Sequence, residues 1–450
     1  MKTRNIILAA IVLGGLAGDV RAEVAVDADY PGGNIIVERI DGDVIDLRQD
    51  LRDTRGWWFY WNFRVRGAGG RRLTFRFTNK NVIGTRGPAV STDGGKTWAY
   101  MGMRSVKGAS FAYTFPGDAK DAKPVRFAFA IPYQEADLKQ FLARHEKNKH
   151  LAVRQLCKTR KGRTVERIHI GRIDGKAPHR ALLTCRHHSC ESMASYVLEG
   201  AMSAILADTE CGKWFRRTVE VMVVPLVDID GVEDGDQGKN RKPRDHNRDY
   251  IGKSVYASTA ALRELVPKWS DARLKIAIDL HCPWIRGRQS EVIYLVGGKD
   301  KAIWQAQCRF AGILESIRPD ALPYKASNNL PFGKAWNTGG NFKAGKSCSR
   351  WASELRGIDL ATTIEVPYAN AGKVTITPKL ARAFGAALAE AMYEYLQPAH
   401  GSIGTANQQE ELGIAPLAQD RRGNYLFGLE AELGQLLADP VANFLGFLGG

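Results

Sequence analysis

The chain has 450 residues, 44% of them apolar, which is enough for two or three domains with substantial cores. Its formal net charge of +16 favours acidic partners, such as anionic wall polymers or acidic peptide ends. The basic residues are scattered without interleaved stacking aromatics and no nucleic-acid module is legible, so nucleic acid is set aside as a partner.

At the start, Lys2 and Arg4 precede an apolar stretch of eleven residues (Ile6 to Leu16) and then Val20-Arg21-Ala22. That pattern is expected of a cleaved signal peptide over residues 1–22, giving a secreted or periplasmic protein without a stable membrane anchor. Its removal would lower the net charge by two, to +14. All seven cysteines lie beyond it and form no CxxC pair; the odd number leaves at least one thiol free or paired with another chain.

Residues 23–142 read as a small antiparallel β-sandwich. In WWFYWNFRV (57–65), Trp57, Phe59, Trp61, Phe63 and Val65 alternate with Trp58, Tyr60, Asn62 and Arg64, and LTFRFT (73–78) repeats that period of two. The aromatic stripe is most simply core, with a carbohydrate-stacking face as the alternative. STDGGKTW (91–98) is a single Asp-box, a turn device rather than a mark of a glycosidase. QEADLKQFLARHEKN (134–148) is expected to be an amphipathic helix leading out of the sandwich.

Residues 143–398 change style. Short apolar strands (RALLT 180–184, VMVVPLV 221–227, KIAIDL 275–280, EVIYLV 291–296, ATTIEV 361–366) are separated in several places by helical stretches at 191–206, 257–267, 301–316 and 378–396. The expected class is α/β, with a mixed, largely parallel central sheet covered by helices on both faces. Residues 399–450 read as a poorly ordered tail.

Sites in such sheets lie at the carboxyl ends of strands. There stand His187, His188 and Glu191 after RALLT, a Gly/Asp/Arg-rich loop (228–250) after VMVVPLV, His281 after KIAIDL, and Glu365 within ATTIEV. Two histidines and a glutamate can hold a zinc ion with a fourth position open to water, and a separate carboxylate with arginines suits metal-assisted hydrolysis. Each piece alone is weak: a His-x-x-Glu before a helix is more often a capping glutamate beside a surface histidine. At this level either His187 or His188 can pair with Glu191.

The order HSCE (188–191), DGV…DHNR (230–248), DLH (279–281) and TIE (363–365) resembles that of the zinc carboxypeptidase family, the carboxypeptidase A-like enzymes. WWFYWNFRV, STDGGKTW and FAFAIPYQEADLKQFL (127–142) are similar to the sandwich that precedes the catalytic domain in cytosolic carboxypeptidases. The resemblance, over about residues 45–395, selects His188 over His187. It implies one zinc ion on His188, Glu191 and His281, with Glu365 as general base and then acid. Asn247 and Arg248 would hold the substrate's terminal carboxylate, and Asp245 would orient a zinc histidine.

The sequence departs from the family pattern in three places. Asp-Ile-Asp-Gly (228–231) replaces Asn-Pro-Asp-Gly. Gly238 stands where relatives carry the arginine that polarises the scissile carbonyl, so Arg241 is expected to take that role, with Arg244 in reserve. No tyrosine occurs in 325–364, where a mobile one is expected; Tyr324 and Tyr368 flank the gap and receive no role. In GKSCSRW (345–351), Arg350, or failing it Lys346, would favour an acidic terminal residue. The implied activity is a secreted zinc metallocarboxypeptidase acting on peptides or on cell-wall (peptidoglycan) stem peptides. A zinc-dependent deacylase of acyl-amino acids and a non-catalytic wall-binding protein are the alternatives.

Overall fold

A computed structural model describes residues 23–56, 58–118, 123–317 and 322–397. The expected leader, the expected tail and Trp57 lie outside them.

Numbered in chain order, ten strands build the first part in two five-stranded sheets. One runs β1 (Ala25–Asp27), β4 (Asn62–Arg66), β10 (Val125–Ala128), β6 (Ala89–Ser91), β7 (Ala99–Tyr100). The other runs β2 (Ile36–Asp41), β3 (Val44–Arg48), β5 (Arg72–Phe77), β9 (Ser110–Thr114), β8 (Val106–Lys107). The pairings are antiparallel except β3 with β5, which is parallel. Leu73, Phe75 and Phe77 are buried while Arg76 between them is exposed, as the alternation requires. Trp61 and Phe63 stack against Phe77, Phe75 and Phe111, so the stripe is core. Strand β4 begins only at Asn62; residues 58–61 approach it as irregular chain, because there both sides of the backbone meet protein and a period of two no longer applies.

The Asp-box turn closes on its own side chains. Asp93 Oδ1 accepts the amides of Lys96 and Thr97, Asp93 Oδ2 accepts the Thr97 hydroxyl at 2.6 Å, and the Trp98 indole donates to the Gly95 carbonyl. Gly94 and Gly95 take φ of 80° and 95°, open to glycine at no steric cost.

Helix α1 (Glu135–Arg144), started by a capping box between Gln134 and Asp137, leads to a seven-stranded sheet. Its order is β11 (Leu151–Lys158), β12 (Thr164–Gly171), β14 (Val219–Val224), β13 (His179–Cys185), β15 (Leu274–His281), β17 (Leu360–Glu365), β16 (Tyr294–Val296). The central four are parallel; β11, β12 and β16 are antiparallel additions at the edges. Strands β14 and β17 are buried at every residue, so both faces of the sheet are covered. Helices α2 (Ser192–Leu206), α3 (Glu210–Thr218), α6 (Lys301–Ser316) and α8 (Pro378–Leu396) pack as one group, while α5 (Ala257–Ser270) packs on β11. The short α4 (Ile229–Asp234) opens the loop after β14, and α7 (Cys348–Ala352) leans on β15 and β17.

The described residues up to Leu396 form one compact unit. Across it, Phe59 and Phe129 of the sandwich meet Tyr368 at 5.7 and 5.0 Å, and Trp58 meets Trp284 at 4.9 Å. The side-chain oxygen of Gln237 accepts the amides of both Phe59 and Tyr60. All seven cysteines are thiols; Cys308 is exposed, Cys157 half-buried and the other five buried. Among the described residues no helix is long and apolar enough to cross a membrane.

Candidate active site at the carboxyl ends of the parallel strands

Strand β13 ends at Cys185, and Arg186 turns the chain with φ of 60°. Its guanidinium is buried, donating to the carbonyls of Ser189 and Tyr133 and to the Ser195 hydroxyl. This brace presents His188 and Glu191 just ahead of α2. Glu191 occupies the N-cap position but makes no side-chain cap bond. Its fully buried carboxylate turns inward instead, so the capping explanation for His-x-x-Glu does not hold here.

His188, Glu191 and His281 converge, their candidate ligand atoms all within 4.8 Å of one another. Nδ1 of His188 lies 3.0 Å from Glu191 Oε1, and Nδ1 of His281 lies 2.7 Å from Glu191 Oε2. Despite that second approach, Glu191 Oε2 is a buried oxygen with no hydrogen-bond partner. Nitrogen and oxygen donors this close around one centre, with a buried carboxylate oxygen left unpaired, are what a cation requires, and the donor set of two imidazoles and a carboxylate suits zinc.

A carboxylate backs each histidine. Asp279 Oδ2 lies 2.6 Å from His281 Nε2, and Asp245 Oδ1 lies 3.6 Å from His188 Nε2. A proton on His281 Nε2, shared with Asp279, leaves the Nδ1 lone pair for the centre, whereas Asp245 Oδ1 is a buried oxygen beside His188 without a hydrogen-bond partner. Burial opposes ionisation of Asp245, but His188 outweighs it and holds the carboxyl well below its usual range.

His187 is no part of this centre, nor does it wall the cleft. Fully buried behind it, its Nδ1 lies 2.8 Å from Asp279 Oδ1 and its Nε2 lies 2.7 Å from the Tyr250 hydroxyl. With both ring nitrogens engaged, the neighbouring grouping of His187, Asp279 and Cys348 is a closed hydrogen-bond network.

Glu365 ends β17 beside His281, in register across the parallel pair. It is buried and its Oε2 lacks a hydrogen-bond partner. Burial raises its pKa, and the negative Glu191 adds to the rise. His188, His281, Glu365, Asp245, Asn247 and Arg248 all line one cavity of about 970 Å³. Asn247 is fixed by accepting the Cys348 amide at 2.9 Å. The guanidinium groups of Arg248 and Arg350 lie over the Phe342 ring, 5.0 and 4.5 Å from its centroid, and both line the cavity. Lys346 does not; its ammonium is paired with Glu354 at 2.6 Å.

Arg241 departs from expectation. Its guanidinium is held by Asp228, by Asp236 at 2.8 Å and by Asp53 at 3.1 Å, beside a separate cavity of about 260 Å³. An arginine anchored by three carboxylates on the far side of its loop does not reach the cleft. Arg244, the reserve, donates to Asp249 and to the carbonyls of Ile251 and Lys253. A cation that does enter the cleft beside the candidate ligands is Lys239, with Nζ 2.6 Å from Glu191 Oε1. Burial would lower its pKa, but Glu191 and other negative neighbours hold it above the ordinary lysine value. The sequence offered a weak signal for it: Lys239 directly follows the glycine that replaces the expected arginine.

Tyr324 and Tyr368 are both turned to other partners, the hydroxyl of Tyr324 to Asn329 and that of Tyr368 to Cys190. The cavity instead holds Tyr294, opposite Glu365 across the antiparallel β16–β17 pair. Trp58 and Trp284 form an aromatic wall to which the sandwich contributes one ring. Sequence reading placed none of these three, because each reaches the cleft by tertiary packing across elements.

No family model matches the chain. It is 25% identical over 287 residues to cytosolic carboxypeptidase 6 of Caenorhabditis elegans, which covers 57% of this chain and 61% of that protein. The chain thus spans less than two thirds of that relative, and the alignment with bovine (Bos taurus) cytosolic carboxypeptidase 3 covers 21% of it at 26% identity. Its fold matches the crystal structure of a metallo-carboxypeptidase from Burkholderia cenocepacia with a TM-score of 0.70 at 19% identity, over 83% of this chain and 99% of that one. In sequence the chain is thus similar to cytosolic carboxypeptidases, and in fold to a metallo-carboxypeptidase.

Proposed function

We propose that the chain is a secreted or periplasmic zinc metallocarboxypeptidase that removes single residues from the carboxyl end of peptides. The observation that carries this reading is the convergence, in one cleft, of His188, Glu191 and His281 with Glu365 beside them and Asn247 and Arg248 within the same lining. A zinc ion held by the first three would supply a Lewis acid and bring the pKa of water to about 7.

The chain's own residues do the rest. Arg248, with Asn247, binds the terminal carboxylate through charge-assisted hydrogen bonds, which restricts cutting to a chain end. Glu365 takes a proton from the attacking water and returns it to the departing nitrogen, and its raised pKa suits both directions of transfer. Asp279 holds His281 in the required tautomer, and the negative charge of Asp245 lies beside His188. Arg350 shares the Phe342 ring with Arg248 and lines the same cavity, which supports a preference for acidic ends, including acidic peptides of cell-wall origin.

The test is mass spectrometry of products from the full-length protein against peptides ending in Glu, Phe and Lys and a muropeptide, with and without chelator. Chelator-sensitive loss of one terminal residue is expected, fastest from Glu ends. Arg350→Ser is expected to reduce the Glu-over-Phe preference by about 10–100-fold in kcat/KM. If every peptide survives with zinc bound, the peptidase reading fails and acyl-amino acids become the substrates to try.

A further inference from the structure

The family position for the carbonyl-polarising arginine is Gly238, and the structure shows why no arginine can stand there. Gly238 has φ of 79°, and a Cβ on it would lie 2.3 Å from the Ser189 amide nitrogen and 2.5 Å from the Ser189 hydroxyl. Both clashing atoms belong to the braced loop that presents His188, so the backbone cannot yield without moving a metal ligand. The arginines further along, Arg241 and Arg244, are committed to carboxylates and carbonyls outside the cleft. Hydrolysis still places negative charge on the carbonyl oxygen, and a donor placed beside it stabilises that charge.

We propose that Lys239 is that donor and that Trp58 of the β-sandwich is the positioning residue that holds it in place. The proposal rests on the peptidase reading above. Lys239 lines the cleft with its side chain mostly buried, and its ammonium has three protons to place. Glu191 Oε1 takes one at 2.6 Å and the Cys282 carbonyl takes another at 3.3 Å. The third is available to the cavity. The ammonium also lies 5.6 Å from the centre of the Trp58 ring, within cation–π range, and Trp58 is itself packed on Trp284 at 4.9 Å. A flexible lysine is thereby confined between a carboxylate, a carbonyl and an aromatic face supplied by the other layer of the molecule.

In the reaction, water oxygen bonds to the carbonyl carbon and the C=O electron pair moves onto oxygen, where the Lys239 N–H donates to it. When the pair returns, the C–N bond breaks and the proton taken by Glu365 passes to nitrogen. Lys239 keeps its proton throughout, so the hydrolysis balances with water alone.

The experiment compares zinc-loaded full-length wild type with Lys239→Met, Lys239→Arg, Lys239→Ala and Trp58→Leu on a peptide that the wild type cleaves. It measures kcat and KM separately and zinc per chain by mass spectrometry. Lys239→Met is expected to lose about 10²–10³ in kcat with KM within about 3-fold and zinc content intact. Lys239→Arg should keep at least about a tenth of kcat, and added ethylamine should restore part of the activity of Lys239→Ala. Trp58→Leu should lower kcat by about 3–10-fold without loss of zinc. Full kcat in Lys239→Met overturns the proposal. So does loss of zinc from that variant, which would make the lysine only a counter-ion for Glu191. If Lys239→Met does not fold, Lys239→Ala and the amine rescue decide: full kcat in Lys239→Ala, or a lowered kcat that added ethylamine does not raise, overturns it. A wild type that binds zinc and cleaves nothing instead defeats the peptidase reading, and this proposal with it.

Discussion

Two adjacent histidines differ completely in surroundings. His188 leaves Nδ1 facing Glu191 and the cleft, whereas His187 spends both nitrogens on Asp279 and Tyr250. His188→Ala is therefore expected to abolish zinc retention, measured by metal analysis after gel filtration. His187→Ala should keep zinc but lower stability by about 1–3 kcal/mol, because Asp279 and Tyr250 lose a buried partner; denaturant unfolding reads this directly. Glu365→Gln should keep both zinc and stability while kcat falls by about 10²–10⁴. Glu191, His281 and Glu365 were legible in the sequence because each follows or ends a readable strand, whereas His188 was set apart from His187 only by the resemblance. Arg241 misled because one-dimensional order cannot tell which side of a loop a side chain leaves from. The three aspartates that capture it are 13, 5 and 188 positions away.

Among elements, the strongly periodic ones were legible almost to the residue: helices at 301–316 and 378–396 match α6 and α8. Strands β11, at the sheet edge, and β12 beside it passed unnoticed because charged and polar residues interrupt them, without the continuous apolar run of a central strand. The close packing of α2 on α8 depends on glycines facing each other's backbone. A Cβ on Gly385 would lie 1.9 Å from the Val197 carbonyl oxygen, and one on Gly200 would lie 2.0 Å from the Arg382 carbonyl oxygen. Gly385→Ala should force the helices apart at a cost of about 1–3 kcal/mol, seen as a lower melting temperature. At the opposite end of the sheet from the cleft, Glu220 at the start of β14 accepts from Trp269 and contacts His169 at 2.8 Å. Burial would raise its pKa, but these bonds outweigh it and hold it below the usual value. Its contribution to stability is thus present above about pH 4.3, the unfolded value, and fades as pH falls through the lower folded one. The melting temperature of Glu220→Gln should accordingly lie below wild type at pH 7 and approach it near pH 3.

At the scale of the whole molecule, sandwich and sheet share one aromatic seam, in which Phe59, Phe129 and Tyr368 meet immediately behind the cleft. Residues 23–396 are expected to unfold in a single calorimetric transition, and Phe59→Ala to lower its midpoint while also slowing turnover. The alternation in the sequence foretold the sandwich but not this seam, since a strand pattern shows which residues are buried and not against what. The thiols give the same cooperativity a chemical readout. Five of the seven sulfurs are buried, leaving Cys308 exposed and Cys157 half-buried. A disulfide-exchange dye added to the native protein would thus titrate Cys308 at once and Cys157 more slowly. The remaining five would react together, at a rate set by how often the molecule opens as a whole.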